Sequence, residues 1–138
     1  MADWKSTDDI RTLPALGEAA DPAFWADYGV GAEYVARWHS VATSLGIEAF
    51  GVNACTGSAG EVVMVDHEEA SFGGQDELYV VLEGRARFTV DGEERDLGAG
   101  GAIHCRARVQ RVAVALETPT TVLAIGAFPD RAYGADTP

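Results

Sequence analysis

The chain is poor in the residues that most often announce a function. Two cysteines, Cys55 and Cys105, occur in 138 residues, fifty residues apart and without any CxxC or Cys/His metal-ligand spacing. That argues against a thiolate metal centre or a disulfide framework and leaves buried thiols as the plain expectation. Basic residues are also few: ten Lys and Arg stand against 22 Asp and Glu, for a formal net charge of −12. Binding to nucleic acid or anionic membranes rests on cationic side chains that neutralise phosphates, so neither is expected as a partner. Apolar runs reach only about 5–8 residues, far short of the roughly 20 that cross a bilayer. The N-terminus, MADWKSTDD, lacks a basic stretch leading into an apolar one, and the expectation is an unexported, cytoplasmic protein. No nucleophile elbow, phosphate loop or Ser/His/Asp arrangement points to a hydrolase or nucleotide enzyme.

What the chain does have is 47% hydrophobic residues, enough for one sizeable core in a single domain. Residues 1–45 form an aromatic extension holding Trp4, Trp25 and Trp38. Within it Asp21 reads as a helix N-cap and Pro22 as the first helical position, predicting a short helix over 22–28. Residues 33–44 suit either a helix or an extended arm, since Tyr34, Val35, Trp38 and Val41 fit helical spacing while Val, Trp and Thr also suit strands. The aromatic cluster is expected to pack across the outer face or open end of the following domain, or else to lid a cavity through Trp25, Tyr28, Tyr34 or Trp38.

From residue 46 to 128 the pattern becomes all-β: glycines recur and short apolar runs are separated by turn signals. The strands are expected at 47–54, 61–67, 77–82, 86–90, 93–97, 102–105, 110–116 and 120–127, with Asp91-Gly92 as a two-residue hairpin turn. Residues 129–138 read as a loosely attached tail.

Glu77, followed by six residues and Gly84, then by the Asp91-Gly92 turn and the Gly98 to Gly101 turn, resembles the cupin superfamily. The family's first motif is G(X)5HXH(X)3,4E(X)6G and its second G(X)5PXG(X)2H(X)3N. The resemblance implies a double-stranded β-helix, or jelly-roll barrel, of the RmlC-like kind. Such barrels hold a divalent metal on two histidines, a glutamate and a later histidine, and they serve as enzymes, storage proteins or ligand sensors, frequently as dimers. Here most of those ligands are missing. Counting back from Glu77 puts Ser71 and Gly73, or Ala70 and Phe72, at the histidine pair; counting forward from Gly60 puts it at 66–68. A one-residue slip gives His67 and Glu69, on one face of the strand by its period of two. The later histidine falls near Gln110. Any metal set is thus His67, Glu69 and Glu77, with Gln110 beside it, an oxygen-rich combination suited to Mn, Fe or Mg; no tightly held cofactor is expected.

Without a metal, an inward Glu77 must be hydrogen-bonded, paired with an arginine or protonated, which makes it a candidate acid/base or ligand anchor. Alternation places Tyr79 and Val81 inward with it and Leu78, Val80 and Leu82 outward. His104 is the second candidate acid/base. It begins a basic strip with Arg106, Arg108 and Gln110, joined by Arg111, that reads either as a solvated turn or as a rim drawing in a small acidic ligand. Asn53 adds an interior amide, so Asn53, Tyr79, Gln110 and Arg108 are the ligand-binding candidates. Arg85 and Arg87 alternate outward onto a solvated face. The expected function is binding of a small organic molecule in the barrel. A metal-independent isomerase, epimerase or cyclase is the second reading, and a metal-dependent oxygenase the third.

Overall fold

The computed structural model describes residues 3–15 and 32–131. The helix expected at 22–28, with Trp25 and Tyr28, lies outside them, as does most of the tail. Among the described residues there are nine strands: β1 (Trp38–Ser40), β2 (Gly51–Gly57), β3 (Val62–His67), β4 (Asp76–Glu83), β5 (Arg85–Val90), β6 (Glu93–Gly98), β7 (Ala102–Cys105), β8 (Arg111–Ala115) and β9 (Thr120–Ala127). They form a five-stranded sheet in the order β1-β2-β9-β4-β7 and a four-stranded sheet in the order β3-β8-β5-β6, every pairing antiparallel. This is the jelly-roll arrangement that the resemblance implies. No helix among the described residues is long and apolar enough to cross a membrane.

The residues explain the strands. Along β4, Tyr79 and Val81 are buried while Leu78 and Leu82 are exposed, the alternation of a sheet with one face on a core. Along β5, Ala86 and Phe88 are buried and Arg85 and Arg87 exposed, with Arg87 holding Asp96 of β6 through paired 2.8 and 2.9 Å bonds. Asp91 and Gly92, at φ 47° and 82°, close the β5–β6 hairpin, and two consecutive positive φ values match the twist of the strands they join. The inner core gathers Val81, Ala86, Phe88 and Ala113 from both sheets.

The stretch that fitted either helix or arm is both. A short helix, α1 (Ala32–Ala36), is followed by β1 and then α2 (Val41–Leu45). Ser40 caps α2 by accepting from the Thr43 N–H, and Gly46 ends it in the left-handed region. The sheet therefore starts at Trp38, inside the segment read as an extension. A second apolar cluster covers the outer face of the larger sheet: Ile10, Leu13, Val41 and Leu45 pack on Val52, Ala54, Leu123 and Ile125. His39 Nδ1 meets the Leu13 carbonyl at 2.7 Å and pins the N-terminal segment there.

Gly84, between β4 and β5, has φ 75°, and a Cβ there would collide with the Pro119 carbonyl and the Thr120 hydroxyl. Gly100 has φ 88° but open space around it. Gly84→Ala is therefore expected to cost at least about 3 kcal/mol, and Gly100→Ala about 1–2 kcal/mol from the backbone alone. Urea denaturation of the two variants measures the difference; equal losses would mean that the collision at Gly84 is relieved at no cost.

Candidate functional site

Two local irregularities make the site. Opposite β8, strand β3 runs Val62↔Val114, Met64↔Ala113 and His67↔Arg111, so β3 advances five residues while β8 advances three. The extra residues are bulges, which re-aim side chains. Val63 and Met64 are consequently both buried, and His67 comes to face inward directly across from Arg111. On the other sheet, Glu77 is paired with Gly126, which is paired with Gly51. Glycine at 126 lets the Gln75 and Glu77 side chains lie against the backbone: a Cβ there would collide with the Gln75 side chain and stand 3.2 Å from Glu77 Cγ.

Arg111 is 0% exposed. Its Nη2 donates to Glu77 Oε1 at 2.9 Å, its Nε to the Tyr79 hydroxyl at 3.1 Å, and its Nη1 to the Val109 carbonyl at 2.7 Å, with longer bonds to the Arg106 and Ala107 carbonyls. Tyr79 donates in turn to Glu77 Oε1 at 2.7 Å. Every N–H-bearing nitrogen of the guanidinium thus has an acceptor, as a buried charge requires. Of the options for an inward Glu77, the structure shows hydrogen bonding and an arginine partner together.

His67 completes the cluster. Its Nδ1 lies 2.7 Å from the Val65 carbonyl, so that nitrogen carries a proton. Its Nε2 lies 3.1 Å from Glu69 Oε1 and 3.4 Å from Glu77 Oε1. Burial disfavours the imidazolium, but the bonds to Glu69 and Glu77 outweigh it and raise the pKa to about 9. Burial also works against the Glu77 carboxylate, yet His67, Tyr79 and Arg111 hold its pKa down to about 2. Glu69 is pushed upward, by burial first and then by the negative charge of Glu77. Glu69 is not on the strand face that period-two counting suggested: β3 ends at His67, and Glu69 precedes the 3-10 turn Ala70–Phe72. Its backbone N–H, bonded to the Ala107 carbonyl at 2.7 Å, turns it back toward His67.

His67, Glu69 and Glu77 line a cavity of about 460 Å³ between the sheets. Val63, Met64, Val65, Val122 and Ala124 supply apolar wall, Tyr34, Trp38 and Phe72 aromatic wall, and Asn53 and Gln75 two amides. Tyr34 is fastened by its hydroxyl, which accepts from the Val65 N–H at 3.2 Å. Cys55 also lines the cavity, its thiol pushed up to about 12 by burial, and Cys105 is buried on β7, paired with Glu77 on the adjacent strand.

Several expected site residues are thus together: Glu77, Tyr79 and Asn53 line the cavity, with His67 and Glu69 beside them. Others are elsewhere. His104 pairs with Leu78, on the outward face of β4, and its Nε2 lies 3.5 Å from Asp76 at an exposed position. Gln110 points outward and donates to Asp66 at 2.7 Å. Arg106 and Arg108 are exposed on the β7–β8 loop and do not line the cavity. The basic rim is therefore not a rim, and its third member, Arg111, is interior. Arg111 had a signal: it alternates with Ala113 and Ala115, both buried, so period two from those alanines places it inside. Tyr34 and Trp38, named as possible lids of a cavity, line it, whereas Gln75 had no signal in the sequence.

Residues 61–126 match the family model described as Cupin domain. No curated protein matches the chain. Among solved structures, a cupin protein from Bacteroides fragilis is 18% identical with a TM-score of 0.66, over 97% of this chain and 92% of that one. An RmlC-like cupin from Desulfovibrio desulfuricans is 25% identical with a TM-score of 0.50, over 58% and 73% of the two chains. A sugar phosphate isomerase of the cupin superfamily from Silicibacter pomeroyi is 21% identical with a TM-score of 0.56, over 65% and 57%.

Removing one partner of a buried ion pair leaves the other charge uncompensated, so Arg111→Met is expected to lose about 3–5 kcal/mol. Adding Glu77→Leu to that variant should recover part of the loss, and a double variant less stable than Arg111→Met alone would refute the pairing. His67 gives a pH signature. A pKa raised from 6.5 to about 9 contributes stability that is complete below pH 6.5 and lost as pH rises through about 9. The contribution is about 3 kcal/mol. Denaturation from pH 6 to 10 should show this decline in the wild type and a flatter profile in His67→Gln.

Proposed function

We propose, for a chain that carries a cupin-superfamily domain over residues 61–126, that the cavity binds a small organic molecule without a resident metal ion. The observation that carries the reading is the cavity itself, about 460 Å³ with mainly apolar and aromatic walls and its ionisable groups gathered at one place. That is the make-up of small-molecule sites, where apolar area supplies affinity and a few polar groups set orientation. Asn53 and Gln75 offer amide donors and acceptors, and the cavity lining contains carboxylates and no arginine. A neutral planar ligand with an amide or carbonyl edge suits this lining better than the acidic ligand that an arginine rim would attract.

The residues do not fit the metal of the family. Among the described residues, the group that could hold an ion is His67, Glu69 and Glu77, with ligand atoms within 4.8 Å of one another. It contains a single imidazole. Its shared oxygen, Glu77 Oε1, already accepts from Tyr79 and Arg111, and the guanidinium stands 2.9 Å from it. Gln110, the expected fourth ligand, faces away.

The 3.1 Å contact between His67 and Glu69 at the cavity wall favours a second reading, a metal-independent enzyme that moves a proton on the bound molecule. In it Glu69, pushed upward, takes a proton while His67 positions it. Glu69→Gln then retains ligand affinity and loses turnover, whereas in a pure binder it has no turnover to lose.

Ligand-observed NMR with benzamide and related neutral aromatic amides tests binding. Ala124→Phe fills the cavity and is expected to weaken binding at least about tenfold, or about 1.4 kcal/mol. Unchanged binding in a folded Ala124→Phe would place the ligand elsewhere and defeat the reading.

A further inference from the structure

We propose that Arg111 takes the place of a metal ion in this barrel: its guanidinium supplies the positive charge that the carboxylates need and thereby bars a divalent cation from the His67, Glu69, Glu77 cluster. The inference rests on the metal-free reading above and names the residue responsible for it. His67 and Arg111 are direct cross-strand partners on β3 and β8, and Glu77 reaches between them from the opposite sheet. A ligand facing His67 across that pair would be well placed to complete a chelate, since directly opposed Cβ atoms lie about 4.5–5.5 Å apart. A permanent cation stands there instead.

The guanidinium is also unable to move aside at low cost. It is wholly buried, and swinging away would break its bonds to Glu77, Tyr79 and the Val109 carbonyl together. The Arg111 guanidinium stands 2.9 Å from Glu77 Oε1, so a divalent ion in the cluster would sit beside a fixed buried cation in an interior that screens poorly. Arg111 acts on both carboxylates. It holds Glu77 directly, and through Nη1 it holds the Ala107 carbonyl, to which the Glu69 and Ala70 N–H groups also bond. It is a positioning residue for the whole cluster.

Cobalt(II) titration of the full chain tests this, read by d–d absorption and by the shift in melting temperature. Wild type, Arg111→His, and Arg111→His combined with His67→Ala are compared after chelator treatment. The expected result is one equivalent of Co²⁺ in Arg111→His, bound on the order of 100-fold more tightly than by the wild type. Its absorption band should vanish when His67 is removed. A wild type that binds Co²⁺ as tightly, with a band that depends on His67, would overturn the inference, as would a folded Arg111→His that binds none. Should Arg111→His not fold, Arg111→Gln removes the charge with less change of shape and is held to the same two outcomes. Benzamide binding by the wild type is measured alongside. Its loss would defeat the binding reading alone, and failure of the cobalt result would defeat the role of Arg111 alone.

Discussion

The buried contact between Arg111 and Glu77 organises the interior. A carboxylate brought between two apolar sheets carries a desolvation cost of several kcal/mol, and only a matched charge with a full set of hydrogen bonds offsets it. Here the guanidinium, the Tyr79 hydroxyl and the His67 imidazole all converge on one oxygen of Glu77. Nη1 of Arg111 binds carbonyls of the β7–β8 loop while Nε holds the Tyr79 hydroxyl, so the same side chain ties that loop to the cavity floor. The Ala107 carbonyl passes the constraint on to the backbone of Glu69. Three sequence-distant segments are held by one side chain.

Space for the site comes from backbone features more than from side-chain choice. The bulges of β3 turn His67 inward, and the absence of a side chain at Gly126 lets the Gln75 and Glu77 side chains lie against the β9 backbone. The rest of the inner face is ordinary sheet packing, with Tyr79 and Phe88 rings 6.3 Å apart and Val81, Ala86 and Ala113 fully buried. A rigid, close-packed half and a roomier half therefore share one pair of sheets, and the ionisable cluster stands where they meet.

Much of the architecture was legible because the β signal is local. Alternation along β4 and β5, the Asp91-Gly92 turn and the bounds of β7 and β9 each depend on a few neighbouring residues, and each agrees with the structure. Glu77 was legible as an inward carboxylate for the same reason. Arg111 alternates with Ala113 and Ala115 and so points inward, yet it reads with Arg106 and Arg108 as a basic strip, and its partner Glu77 is 34 residues away. Gln110 and His104 failed by one residue of register or one face of a strand, an error that period two converts into opposite sides of the sheet. Glu69 was paired with His67 for a reason the structure replaces, a turn anchored on Ala107 in place of a continuing strand.

By itself the sequence determined the all-β class, most strand positions, the hairpin and the inward direction of Glu77, since these follow from local periodicity and turn chemistry. Tertiary structure decided which cation meets Glu77, where the bulges fall, which aromatic side chains line the cavity and which histidine reaches it. Those depend on pairing between strands remote in the chain, and a shift of one residue in that pairing exchanges core for solvent.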